Sequence, residues 1–138
     1  MTLDDLIARE SIRDTIARYA HCGDSGRFEE MAQLFAEDGV LEIDGREPNR
    51  GHEAILRFLG ETKQTLGTAV PGAFIRHHVS NVVIDLDNAG EARAASYFFV
   101  VTHRGPDHWG RYRDRFVRVG ERWLFAHRRV RLDGRAEF

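Results

Sequence analysis

The sequence lacks the residues that would staple a chain or anchor it in a membrane. Cys22 is its single cysteine, so no disulfide can form within the chain and no cysteine cluster can hold a metal. Long hydrophobic runs are absent too. Stretches such as Tyr97-Phe98-Phe99-Val100-Val101 are far too short to cross a bilayer, and the first residues show neither the basic start nor the apolar stretch of a secretion signal. A cytoplasmic protein without a membrane partner is the expectation. The net charge of -2 gives no overall attraction to nucleic acid, and no nucleic-acid partner is expected. Glycine-rich phosphate grips, dinucleotide fingerprints, Cys–His nucleophile pairs and zinc-ligand spacings are all missing, so neither a cofactor nor a metal is expected.

What is present describes an ordinary folded domain. At 138 residues, with 42% hydrophobic and 30% charged side chains, residues 1–138 form one unit able to bury its own core. Thr2-Leu3-Asp4-Asp5 is a helix-capping box, and Leu3, Leu6, Ile7, Ile12, Ile16, Tyr19 and Ala20 follow at helical spacing toward Asp24. Gly23 and Gly26 bracket the break. Phe28, Met31, Leu34 and Phe35 predict a second helix over 27–35, Val40 to Ile43 a short strand, and His52 to Glu61 or beyond a third helix. The segment around Gly67 to Gly72 is expected to be a loop that could act as a lid.

From Phe74 the texture changes to β. Ile75 to Leu86, Glu91 to His103, His108 to Val119 and Arg122 to Leu132 form four long segments separated by turn residues, which makes a meander the economical topology. The fold class is therefore α+β, with helices in the first half and a strongly curved, mostly antiparallel sheet in the second. Strands this long call for curvature or bulges, and a pocket between helices and sheet would suit a small molecule.

Several polar residues have chemistry suited to such a pocket. Asp24 could fix the tautomer of a histidine and favour its protonated form, or it could simply cap the helix end. His77 and His78 are neighbours on a strand and point to opposite faces; both faces are substantially apolar, so either ring could be the inner one. Tyr19 offers a phenolic proton from within the helical stripe. Alternation in the arginine-rich segment from His108 to Val119 places Tyr112, Asp114 and Phe116 inward, leaving Arg111, Arg113 and Arg115 outside. Arg128 and Arg129 also face apart, and the inner one could hold an anion or an enolate oxygen. Ser96, His103, His108 and His127 have useful chemistry without a spacing that singles them out.

Taken over nearly the whole chain, the sequence resembles the SnoaL-like family of the nuclear transport factor 2-like superfamily. The resemblance rests on Ile12-Arg13-Asp14 through Tyr19, Asp24, Phe28 through Phe35, Asp38-Gly39, Gly51 to Ile55, Arg76 to Asn81, Gly110 to Asp114, and Trp123 through Arg129. It implies a cone-like α+β barrel, a bent mixed sheet wrapped around helices with a deep apolar cavity. The pattern is most similar to the cofactor-independent branch with scytalone dehydratase, bile-acid dehydratase and hexachlorocyclohexane dehydrochlorinase. Within that branch, the resemblance makes Asp24 and His77 a catalytic pair, and adds Tyr19 and Arg128 as stabilisers of ligand oxygen. The dehydrochlorinase has a lysine where Tyr19 stands, which turns the expectation away from halide loss. A second acid or base would fall on the strand from Tyr97 to His103, where only His103 is available.

The expected function is a cofactor-independent lyase or isomerase, dehydratase-like, acting on an apolar oxygenated small molecule through proton abstraction by His77 assisted by Asp24. A polyketide-type cyclase, a non-catalytic ligand-binding protein and the small subunit of an aromatic-ring dioxygenase are the alternatives. A homo-oligomer, dimer or trimer, is expected from the same resemblance.

Overall fold

Thr2 opens the first helix as its neighbours dictate. Its hydroxyl accepts the Asp5 amide at 3.1 Å, and the Asp5 carboxylate accepts the Thr2 amide at 3.0 Å. In the computed structural model, which describes residues 1–66 and 71–138, this helix, α1, runs Leu3–Ser25. It passes through Gly23 and ends at Gly26, whose φ of 72° is the left-handed conformation glycine adopts without strain. The buried stripe begins at Ala8 and continues through Ile12, Ile16, Tyr19 and Ala20, whereas Leu3, Leu6 and Ile7 of the expected stripe are exposed.

The second helix, α2 at Phe28–Ala32, is shorter than its periodicity predicts. Phe35 belongs instead to β1, Phe35–Ile43, because it pairs across the sheet with Phe125. Long-range pairing overrides the local helical pattern here, and the short strand expected over 40–43 is nine residues long. Next come β2 at Asn49–Arg50 and α3 at Gly51–Leu66. The four long strands are β3 Ile75–Asn88, β4 Glu91–Thr102, β5 Gly105–Val119 and β6 Arg122–Arg135, close to the expected segments. The expected lid falls largely on residues 67–70, outside the described residues; Pro71-Gly72 forms a turn.

The strands form one sheet in the order β2-β1-β6-β5-β4-β3. All neighbours are antiparallel except β1 with β6, so the sheet is mixed. It is neither closed into a barrel nor strongly curved, which corrects the expected cone-like barrel. Closure needs the two edge strands to pair. Here the edges are the two-residue β2 and the fourteen-residue β3, at opposite ends of the order.

The tie between α1 and β3 explains why that edge stays extended. Arg9 donates to the Ile84 carbonyl at 2.7 Å, and Asp24 accepts the His77 amide at 3.0 Å. Fifteen helical residues rise about 22 Å, and seven strand residues span about 23 Å. The helix can match the strand at both points only if it lies antiparallel along it. Thr15 adds a third tie, donating to the Trp123 carbonyl of β6 at 2.7 Å.

Register shifts relieve the length of the strands locally. The most informative lies in β3 between Ser80 and Val83, where Asn81 adopts φ 56°. Asparagine tolerates this left-handed angle better than a β-branched residue. The bulge switches the inward parity: Ile75, His77 and Val79 lie on the covered face before it, and Val82, Ile84 and Leu86 after it. Both alternating sets are apolar because each is inward for only part of the strand.

Candidate functional site

His77 and Asp24 meet where the last turn of α1 reaches the free edge of β3. His77 Nδ1 lies 2.6 Å from Asp24 Oδ1, and the same carboxylate accepts the His77 backbone N–H at 3.1 and 3.0 Å. The side chains are 23% and 14% exposed, shielded yet reachable. With Nδ1 donating to the carboxylate, the neutral ring carries its lone pair on Nε2. Both residues border a groove of about 680 Å³ that also touches Ala17, Ala20, Arg76 and Val79. His78 also borders this groove, but its ring stacks on Phe99 on the other face of the sheet, with centroids 4.6 Å apart.

A second imidazole stands beside the first. His77 is in register with Val100, and Val100 with His108, so the three share the covered face. The His77 and His108 ring centroids are 6.3 Å apart with planes at 84°. His108 Nδ1 lies 2.7 Å from Asp107 Oδ2, giving this ring its own carboxylate. Sequence reasoning placed Asp107 in a turn and gave His108 no partner. The signal was the cross-strand register, which a single sequence does not display.

Tyr19 and Arg128 occupy the interior rather than the groove. Arg128 and Asp114 are fully buried and meet at 3.1 Å, Nε donating to Oδ1. The guanidinium carbon lies 3.4 Å from the Tyr112 ring centroid, 4.2 Å from that of Tyr19 and 4.7 Å from that of Phe125, a cationic plane packed among aromatic faces. Burial raises the Asp114 carboxyl to about 6, with Arg128 opposing the shift. Burial also pushes up both the Tyr19 and Tyr112 phenols against the lowering influence of Arg128. As alternation predicts, Tyr112, Asp114 and Phe116 face inward, while Arg129 pairs outside with Asp44 at 2.7 Å.

The two groups are joined through rings. Tyr112 stacks on Phe98 at 4.6 Å, and Phe98 lies 6.1 Å from His108. Of the other histidines, His21 borders the groove with Asp24 and His77, His52 Nε2 lies 2.8 Å from the Phe35 carbonyl, His103 meets Phe74 at 6.4 Å in the turn after β4, and His127 pairs with Glu42 at 2.9 Å. Among the described residues, no group of three or more His, Cys, Asp or Glu side chains could hold a metal ion, and no helix is long and apolar enough to cross a membrane.

The SnoaL-like domain model matches residues 4–129. Among solved structures, one from Catenulispora acidiphila is 31% identical, covering 96% of each chain with a TM-score of 0.83. A second from that organism, in complex with S-DNPA, is 32% identical over 91% of this chain and 93% of its own, with a TM-score of 0.79. A Novosphingobium aromaticivorans protein provisionally named scytalone dehydratase is 26% identical, covers 100% of this chain and 92% of its own, and has a TM-score of 0.84. No curated protein matches the chain.

Proposed function

The chain belongs to the SnoaL-like family, and on that premise we propose that it is a cofactor-independent lyase or isomerase of the dehydratase type, acting on an apolar, oxygenated small molecule. The observation that carries this reading is the 2.6 Å contact between His77 Nδ1 and Asp24 Oδ1. A carboxylate at Nδ1 orients the ring, leaves Nε2 as the basic nitrogen and stabilises the imidazolium formed when that nitrogen takes a proton. The proton would come from carbon next to a carbonyl, where its loss gives an enolate. Arg128 and Tyr19, which lie in the interior rather than in the groove, would stabilise that charge from behind it as a buried cationic field, with Arg128 spending its Nε on Asp114. Loss of a neighbouring hydroxyl completes a dehydration, and reprotonation elsewhere an isomerisation; closure of a polyketide-type ring uses the same first step.

Likeness to a structure holding S-DNPA and to a protein provisionally named scytalone dehydratase supports a small-molecule ligand. The exposed outer face, with Tyr97, Phe99 and Trp109, is where a homo-oligomer would form.

One observation favours a second, non-catalytic reading. Asp24 also closes the free amide of an edge strand, a structural task that a ligand-binding protein would retain. Incubating ketones, hydroxy ketones and polycyclic metabolites with the protein and with His77→Ala, read by mass change, separates the two. Turnover lost with His77→Ala supports the lyase or isomerase; binding without turnover supports the ligand carrier.

A further inference from the structure

We infer that His108, held by Asp107, is the second proton-transfer group of this site, donating to the departing oxygen while His77 removes the carbon-bound proton. This rests on the lyase reading above and adds a residue to it. β3 and β5 are separated by β4, so residues level with each other on them lie about 9.5 Å apart. The ring centroids of His77 and His108 are nevertheless 6.3 Å apart, so the rings lean together over Val100, which is fully buried beneath them. Each ring is pinned at Nδ1 by a carboxylate, at 2.6 Å for His77 and 2.7 Å for His108, which leaves both Nε2 atoms for other partners. Each ring remains about a fifth exposed, at 23% and 22%, so both are open to a ligand.

A neutral ring with its lone pair on Nε2 is a base, and a protonated ring beside it is an acid. That is the composition a β-elimination needs. His77 Nε2 takes the proton next to the carbonyl, and the C–H electron pair becomes the new C=C bond. The bond from the β-carbon to its hydroxyl breaks, and the oxygen leaves as water with the proton from His108 Nε2. His77 ends protonated and His108 neutral, and proton exchange with solvent restores the starting state. The roles follow from the carboxylates: Asp24 divides its charge between the ring and the backbone amide of His77, whereas Asp107 directs its Oδ2 to the His108 ring. The apolar strand β4 contributes Val100 as the floor, and the second acid comes from β5 in place of the expected β4 position.

The test is made on the full chain. It uses 3-hydroxy-1-tetralone, a bicyclic β-hydroxy ketone that dehydrates to 1-naphthol, in deuterated water. His77→Gln should lose both deuterium exchange beside the carbonyl and naphthol formation. His108→Gln should keep the exchange and lose naphthol formation by about 100-fold or more. Naphthol formed by His108→Gln at the wild-type rate overturns the assignment. Should His108→Gln not fold, Asp107→Asn keeps both rings and should slow naphthol formation more than deuterium exchange; naphthol formed by that variant at the wild-type rate is equally contrary. A probe that wild-type protein leaves unchanged strikes the lyase reading itself.

Discussion

Arg128 and Asp114 form an ion pair at 3.1 Å in which neither side chain reaches solvent. Removing one member strands the other's charge in the core, a far larger loss than the pair's net worth. Arg128→Met should therefore destabilise the fold by about 3–5 kcal/mol in urea denaturation. Adding Asp114→Leu should recover part of the loss, because the stranded charge is then gone; additive losses would show that the two side chains act independently.

The raised Asp114 carboxyl also predicts a pH dependence. Its folded value of about 6 lies above the ordinary aspartate value of 3.8, so the folded protein holds this proton more tightly than the unfolded chain. Between about pH 4 and pH 6 the unfolded state has released the proton and the folded state has not, so this group's contribution falls as pH rises and levels off above that window. The contribution lost is on the order of 2–3 kcal/mol. Asp5 and Asp87, with lowered values, slope the other way, so the measurement is the difference between wild type and Asp114→Asn across pH 4–7. That difference should vary with pH inside the window and be constant above it.

Asn81 sets the parity of β3 and thereby the face on which His77 sits. Asn81→Val places a β-branched side chain at φ 56° and should cost about 1–2 kcal/mol, whereas Asn81→Gly should be neutral within about 0.5 kcal/mol. If both variants melt as the wild type does, the left-handed angle is not what holds the bulge.

A close approach supports the opposite side of the site. A Cβ on Gly110 would lie 2.0 Å from the Arg131 carbonyl oxygen and 2.9 Å from the Phe98 ring. One is strand backbone and the other a buried ring, so neither is the far end of a flexible side chain. Gly110→Ala should cost about 3 kcal/mol and disturb Phe98, which stacks on Tyr112; chemical denaturation with near-ultraviolet circular dichroism reads both effects.

Much of this molecule was legible in its sequence for identifiable reasons. The Thr2–Asp5 capping box, the four β segments and the inward set Tyr112, Asp114 and Phe116 are local patterns with a single physical solution. Where the sequence misled, a distant partner decided. Phe35 leaves its helical period because Phe125 pairs with it, and Leu3, Leu6 and Ile7 stay exposed although their spacing suits burial. The sheet stays open because its edge strands never meet, a fact of strand order rather than of any one residue. Parity could not choose between His77 and His78 because the choice depends on a bulge four residues after His77, and His108 acquired its neighbour only through the register of β3, β4 and β5.

The central claim is that His77, held by Asp24, removes a proton from carbon. Its most direct measurement is deuterium incorporation beside the carbonyl of 3-hydroxy-1-tetralone in deuterated water, followed by proton NMR for wild type, His77→Gln and Asp24→Asn. The account predicts exchange by the wild type, at least about 100-fold slower exchange with His77→Gln, and an intermediate or comparable loss with Asp24→Asn. Exchange by His77→Gln at the wild-type rate, in a protein that melts normally, would contradict it.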